Sequence, residues 1–181
     1  ADNVSDETKE KLEKESSGLD IHYTSIGSSA GTFHNVFMDS LNLDDDTIVY
    51  FLENDYIHAP NSMNALFDGF DIGAHYVTLY DHPDKYISSY DYGEPTRVMK
   101  GNVCHWKMTI STTMTFAAKV STLTEDKDIW IENTGGSYPT DHKAFTQLRE
   151  KGRTLVSPIP GYSTHGETAW LSPFRNWEMI I

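Results

Sequence analysis

Apolar and polar positions alternate along the chain in two rhythms that follow one another. Positions 19–26, Leu-Asp-Ile-His-Tyr-Thr-Ser-Ile, change character at every step and predict a half-buried strand. Phe33, Val36, Phe37 and Leu41 share one helical face and predict a helix over 33–41. The run Thr47 to Leu52 is rich in β-branched and aromatic residues and predicts a buried strand. Met63, Leu66, Phe67 and Phe70 fall at helical spacing, with Asn61 or Ser62 near the start of that helix. Strands are expected over 74–80 and over 154–160, the latter cut by prolines. The β-prone run 103–117 predicts a strand, a bend and a second short strand, closed by 118–124. A short helix from 124–127 carries Ile129 and Trp130, and a later one runs from Thr140 or Asp141 through Arg149. At the chain start, 1–3 reads as the end of a strand. Ser5 or Asp6 caps a helix over 7–16, whose only clear apolar position is Leu12. Strands and helices taking turns in this way place the chain in the α/β class.

Composition narrows the picture. The chain has 181 residues, enough for one domain with a sizeable core. Its net charge of −13 argues against a nucleic-acid partner, since phosphate-backbone affinity rests on cationic groups. No apolar run approaches the roughly 20 residues of a membrane span. The single cysteine, Cys104, excludes an internal disulfide framework and fits a reducing, cytoplasmic setting. The six methionines are scattered and read as core filler.

The strand over 47–52 runs directly into Glu53 and Asp55. Carboxylates are rarely buried unless paired or metal-bound. At the carboxyl end of a strand in an α/β sheet they stand where such folds bind ligands. Oxygen donors there suit Mg2+ or Mn2+. Asp44, Asp45 and Asp46 lie at the other end of that strand and read as a solvated turn. The small-residue loop 27–32 lacks the spacing of a phosphate-binding P-loop, and reads either as a plain turn or as backbone passing close to a ligand. His82 and Asp84 read as ligands or as parts of a proline-containing turn. Asp141 is either a favourable first-turn acid or a general base displayed at a helix start. His165, in an expected flexible loop before Trp170 and Trp177, is a surface histidine or a metal ligand. Over 86–100, read as loop with some extended structure, Tyr86, Tyr90 and Tyr92 are candidates to line a sugar site.

Taken together, Asp2-x-x-Ser5-Asp6-x-Thr8, Gly31 through Asn35, Glu53-Asn54-Asp55, Asp141 and His165 resemble the GT-A glycosyltransferases in order along most of the chain. The resemblance implies a Rossmann-like nucleotide-binding half and a mixed central sheet flanked by helices, lacking the family's first strand and helix. It implies one catalytic domain over 1–181, with a nucleotide-binding part over about 1–58 and an acceptor part over about 59–181, and further domains beyond it. It also implies a UDP-sugar donor, a glycan or glycoprotein acceptor and a Mn2+ or Mg2+ cofactor. By the same resemblance Asp2 contacts the nucleoside, with Gly31 and Asn35 in the nucleotide site. Glu53 faces the ribose or a metal-bound water, Asp55 and His165 hold the metal, and Asp141 is the base of an inverting reaction. The motifs are also similar to those of virus-encoded members, which implies a capsid glycan as acceptor and action in the host cytoplasm. Asn54 departs from the more acidic form of the metal motif. Two other classes remain in view. A sugar nucleotidyltransferase needs a glycine-rich loop with Arg and Lys, which 27–32 lacks. A non-catalytic glycan-binding module could use Tyr86, Tyr90, Trp106 and Trp170 as stacking faces.

Overall fold

Tyr76 and Val77 are neighbours in one strand, yet they belong to different cores. Successive strand side chains point to opposite faces, so a sheet covered on both sides splits every such pair. A computed structural model describes residues 1–16, 18–87, 96–136 and 138–180. It contains helices α1 (Asp6–Glu15), α2 (Ser29–Ser40), α3 (Ser62–Asp71), α4 (Val120–Glu125), α5 (Lys127–Asn133) and α6 (Asp141–Glu150). The strands are β1 (Ile48–Phe51), β2 (Tyr56–His58), β3 (Tyr76–Val77), β4 (Val98–Lys100), β5 (His105–Thr109), β6 (Phe116–Lys119), β7 (Leu155–Ile159) and β8 (Ser163–His165).

Six strands make one mixed sheet in the order β1-β6-β3-β7-β5-β4, while β2 and β8 form a separate antiparallel ribbon. On one face Phe51, Tyr76, Phe116, Ala118 and Leu155 pack against Phe37 of α2, Leu123 of α4, Trp130 of α5 and Phe145 and Leu148 of α6. On the other face Val77, Trp106, Ala117 and Val156 pack against Ala65 and Leu66 of α3. Gly69 lets α3 approach closely, because a Cβ there would meet Val77 Cγ1 at 2.6 Å. The protein is therefore α/β, with a mixed six-stranded sheet flanked by helices.

Strand direction sets up the site. Both β1 and β3 run antiparallel to β6, and β3 runs parallel to β7. The carboxyl ends of β1, β3 and β7 therefore share one edge of the sheet. The amino end of β6 joins them there, since Phe116 pairs with Phe51. Open α/β sheets bind ligands along such an edge.

Several expectations are corrected. The alternating segment 19–26 forms no strand; Thr24 alone makes an isolated parallel bridge, to Asp2. Period-two patterning reports half-burial and does not supply a partner strand. The strand expected over 74–80 is regular only at Tyr76–Val77, with a separate bridge from Tyr80 to Ser163. The helix expected from 33 begins earlier, at Ser29, because the Ser28 hydroxyl caps it by accepting the Gly31 N–H. Segment 118–124, which closes the β-prone run, passes from the end of β6 into α4. Met63 and Met179 are exposed, so not all methionines fill the core. Trp106 is fully buried, with its indole N–H donated to Asp68 at 2.9 Å, and offers no stacking face. Tyr90 and Tyr92 lie outside the described residues.

Other expectations hold. Ser5 caps α1, which buries no side chain. Asp44, Asp45 and Asp46 are exposed. The strand, bend and second strand of 103–117 are β5 and β6, and α6 starts at Asp141. Among the described residues, no helix is long and apolar enough to cross a membrane.

Candidate functional site

Past Phe51 the chain leaves the sheet, so Glu53 and Asp55 stand just beyond the carboxyl end of β1. The chain then turns into β2, whose register against β8 sets Tyr56 opposite His165. This pairing brings His165 Nε2 to 3.0 Å from Asp55 Oδ2. His165 is therefore the last residue of a strand, not part of a flexible loop. The junction is tight. Gly166 donates its N–H to the Asp55 carbonyl at 2.7 Å, and a Cβ at Gly166 would meet that oxygen at 2.8 Å. On its other side, the imidazole accepts the Glu167 N–H at Nδ1, at 3.1 Å. An Nδ1 that accepts leaves the proton on Nε2, aimed at Asp55.

Glu53 is half-buried. Burial pushes its pKa up, the Asp55 carboxylate adds to this and His165 opposes it, with Asp141 adding a further upward push. Glu53, Asp55, His165 and Asp141 thus share one electrostatic neighbourhood. Asp141 is positioned from two directions. It opens α6, and its Oδ2 accepts the backbone N–H groups of Thr112 at 2.8 Å and Thr113 at 2.9 Å. That turn precedes β6 and holds Thr113 and Met114 at φ +52° and +58°. Left-handed backbone at two consecutive non-glycine residues is strained, and such strain clusters at functional sites. The buried Thr112 hydroxyl beside Asp141 has no hydrogen-bond partner among the described residues.

Asp2 is placed differently. One carboxylate oxygen accepts from Thr24 Oγ1 and the Ile26 N–H, both at 2.7 Å. The other accepts from the Gly27 N–H at 2.8 Å and Thr32 Oγ1 at 2.9 Å. These bonds, the Thr24 hydroxyl foremost, hold its pKa down at about 2. A nucleoside contact would have to displace one of four donors. Gly31 lies in the first turn of α2, where a Cβ would meet Ile26 Cγ2 and Ser28 Oγ at 2.7 Å. Asn35, one turn on, lines a groove of about 290 Å³ with His22, Thr24, Thr32, Val36 and Asp39.

His82 and Asp84 pair with each other at 2.7 Å in a 3-10 turn over Pro83–Tyr86, which favours the turn reading. Sequence reasoning missed three contributors. The Tyr56 ring packs edge-on against His165 and Tyr80 and bridges two strand ends. The 112–113 backbone orients Asp141, and the Tyr80 hydroxyl donates to the Trp170 carbonyl at 2.6 Å. None of these leaves a local signal, because each depends on segments far apart in sequence.

A cation at Asp55 and His165 would have one carboxylate and one imidazole from the protein. Among the described residues, no three acidic, histidine or cysteine side chains form a ready metal cage. Two protein donors suit a Mg2+-type ion whose remaining ligands are substrate phosphates and water. The donor set fits on that condition. For Nε2 to ligate, Nδ1 must carry the proton, so the Glu167 N–H bond to it must be released. No protein-family model matches the chain, and a comparison with curated proteins finds no match.

Proposed function

We propose that the protein is a GT-A-type glycosyltransferase that moves a sugar from a UDP-sugar donor to a hydroxyl of a glycan acceptor. One observation carries the proposal. The β2–β8 register joins Asp55 to His165 at the strand-end edge, within the electrostatic reach of Glu53 and, through it, of Asp141.

Asp55 and His165 would hold a Mn2+ or Mg2+ ion, which supplies charge neutralisation for a departing diphosphate. Asp141, fixed through Oδ2, leaves Oδ1 to take the acceptor hydroxyl proton. As that proton moves to Asp141, the acceptor oxygen bonds to the anomeric carbon. The bond from that carbon to the phosphate oxygen breaks, and its electron pair leaves with UDP. Attack opposite the leaving group inverts the anomeric centre. Glu53, next to Asp55, would face the ribose or a metal-bound water.

Melting the protein with UDP, with and without Mn2+, tests this reading. A ligand at 100 times its Kd adds about 2.7 kcal/mol, or roughly 5–10 °C for a domain of this size. The shift should need both partners. No shift at saturating concentrations of UDP and Mn2+ together, or an equal shift with UDP alone, removes this proposal.

A further inference from the structure

We infer that Phe174 and Tyr86 form a subsite that takes the flat C–H face of a pyranose ring, on the acceptor side of Asp141. Phe174 is 74% exposed and has φ +66°. For a bulky residue that backbone conformation is an outlier, and it persists only when its surroundings impose it. The chain thus accepts strain to hold an apolar ring in water.

The ring meets Tyr86 edge-on, with centroids 5.7 Å apart and planes at 84°. Tyr86 is itself fixed from two sides while 47% exposed. Its hydroxyl donates to Asp81 Oδ2 at 2.7 Å, and Lys107 Nζ lies 4.2 Å from its ring centroid. Asp81 is fully buried and paired with Lys107, so the anchor cannot drift.

The occupant follows from the surroundings. Two rings are far short of the roughly 800 Å² per partner that a stable protein interface buries. Polar groups adjoin them: Asp84 with His82, and Lys85, which donates to Ser111 at 3.0 Å. An apolar platform with polar groups at its rim matches a sugar, which offers C–H bonds on its face and hydroxyls at its edge. Ser111 directly precedes Thr112, whose N–H holds Asp141, so the platform adjoins the turn that orients the base. The acceptor role rests on the transferase reading; sugar binding does not.

Saturation-transfer NMR with methyl glucoside, galactoside, mannoside and xyloside, without nucleotide or metal, tests the platform. At least one glycoside should take up saturation from the protein. In Phe174→Gly that signal should fall at least fivefold. Glycine adopts the same backbone angle without strain, so the variant keeps its fold, which an unchanged or higher melting temperature verifies. No signal from any glycoside, or full signal in Phe174→Gly, overturns the inference. Failure of UDP to bind would instead count against the transferase reading alone.

Discussion

Asp141 accepts the backbone N–H of Thr113 at 2.9 Å, across 28 residues of sequence. The bond, with its twin from Thr112, ties the start of α6 to the strained turn before β6. It gives Asp141 the duty of holding the turn, separable from the proposed one of receiving a proton. Asp141→Asn keeps an oxygen for the two N–H groups but is too weak a base. Its transfer rate should drop about 10²–10⁴-fold with little loss in denaturant midpoint. Asp141→Ala should lose transfer equally and also cost about 1–3 kcal/mol for the part-buried Thr112 N–H left unpaired, while the exposed Thr113 N–H turns to water. Urea titration beside a transfer assay separates the two effects. Unaltered transfer in Asp141→Asn would remove it from the chemistry.

Gly166 is selected by a close approach, not by a special backbone angle. In Gly166→Ala the new Cβ must push against the Asp55 carbonyl. Backbone cannot yield as a flexible side chain does, so the change should cost about 1–3 kcal/mol. It should also part His165 from Asp55 and weaken Mn2+-dependent UDP binding. Thermal melts with and without Mn2+ and UDP measure both consequences. A variant that matches the parent in both would show that the tight junction is irrelevant.

The Tyr76 hydroxyl donates to Asp126 Oδ2 at 2.8 Å and accepts the Trp130 indole N–H at 3.1 Å, all in the core. Tyr76→Phe strands an indole N–H and removes one donor from a buried carboxylate. The expected loss is about 1–3 kcal/mol, read from chemical denaturation. UDP binding should not change, because this network lies in the core between the sheet and α5. It serves as the structural control for the site variants.

Asp2 links folding to acid. Its folded-state pKa, about 2, lies below its ordinary value of 3.8. A depressed carboxylate contributes stability that is complete above the unfolded value and is lost as pH falls toward the folded one. Melting temperature should therefore decline between about pH 4 and pH 2, and this portion of the decline should be absent in Asp2→Asn. Identical acid profiles for parent and variant would contradict the hydrogen-bonded arrangement around Asp2.

The sequence made some of this legible and concealed the rest for definite reasons. Glu53 and Asp55 stood out because an apolar run ends in acids, and the strand it predicts places them at its carboxyl end. Ser5 and Asp141 marked helix starts through local capping chemistry. His165 was legible as a residue but not as a strand end, since the three-residue strand β8 is too short to show a period. Its partner β2 is equally short. Trp106 illustrates a different limit: an aromatic residue in a β-prone run suits a sugar platform and a core equally well. Only packing against α3 and the bond to Asp68 decide for the core. The turn holding Asp141 contains no glycine at its left-handed positions, so residue preference gave no warning of it.

In the proposed reaction Asp55 and His165 jointly present a cation to a diphosphate. Titration calorimetry of UDP, run with Mn2+ and again with EDTA, in the parent and in Asp55→Ala and His165→Ala, tests this most directly. The parent should bind UDP only with Mn2+, and each variant should show at least a tenfold weaker Kd. Metal-independent binding, or equal affinity in all three proteins, would contradict it.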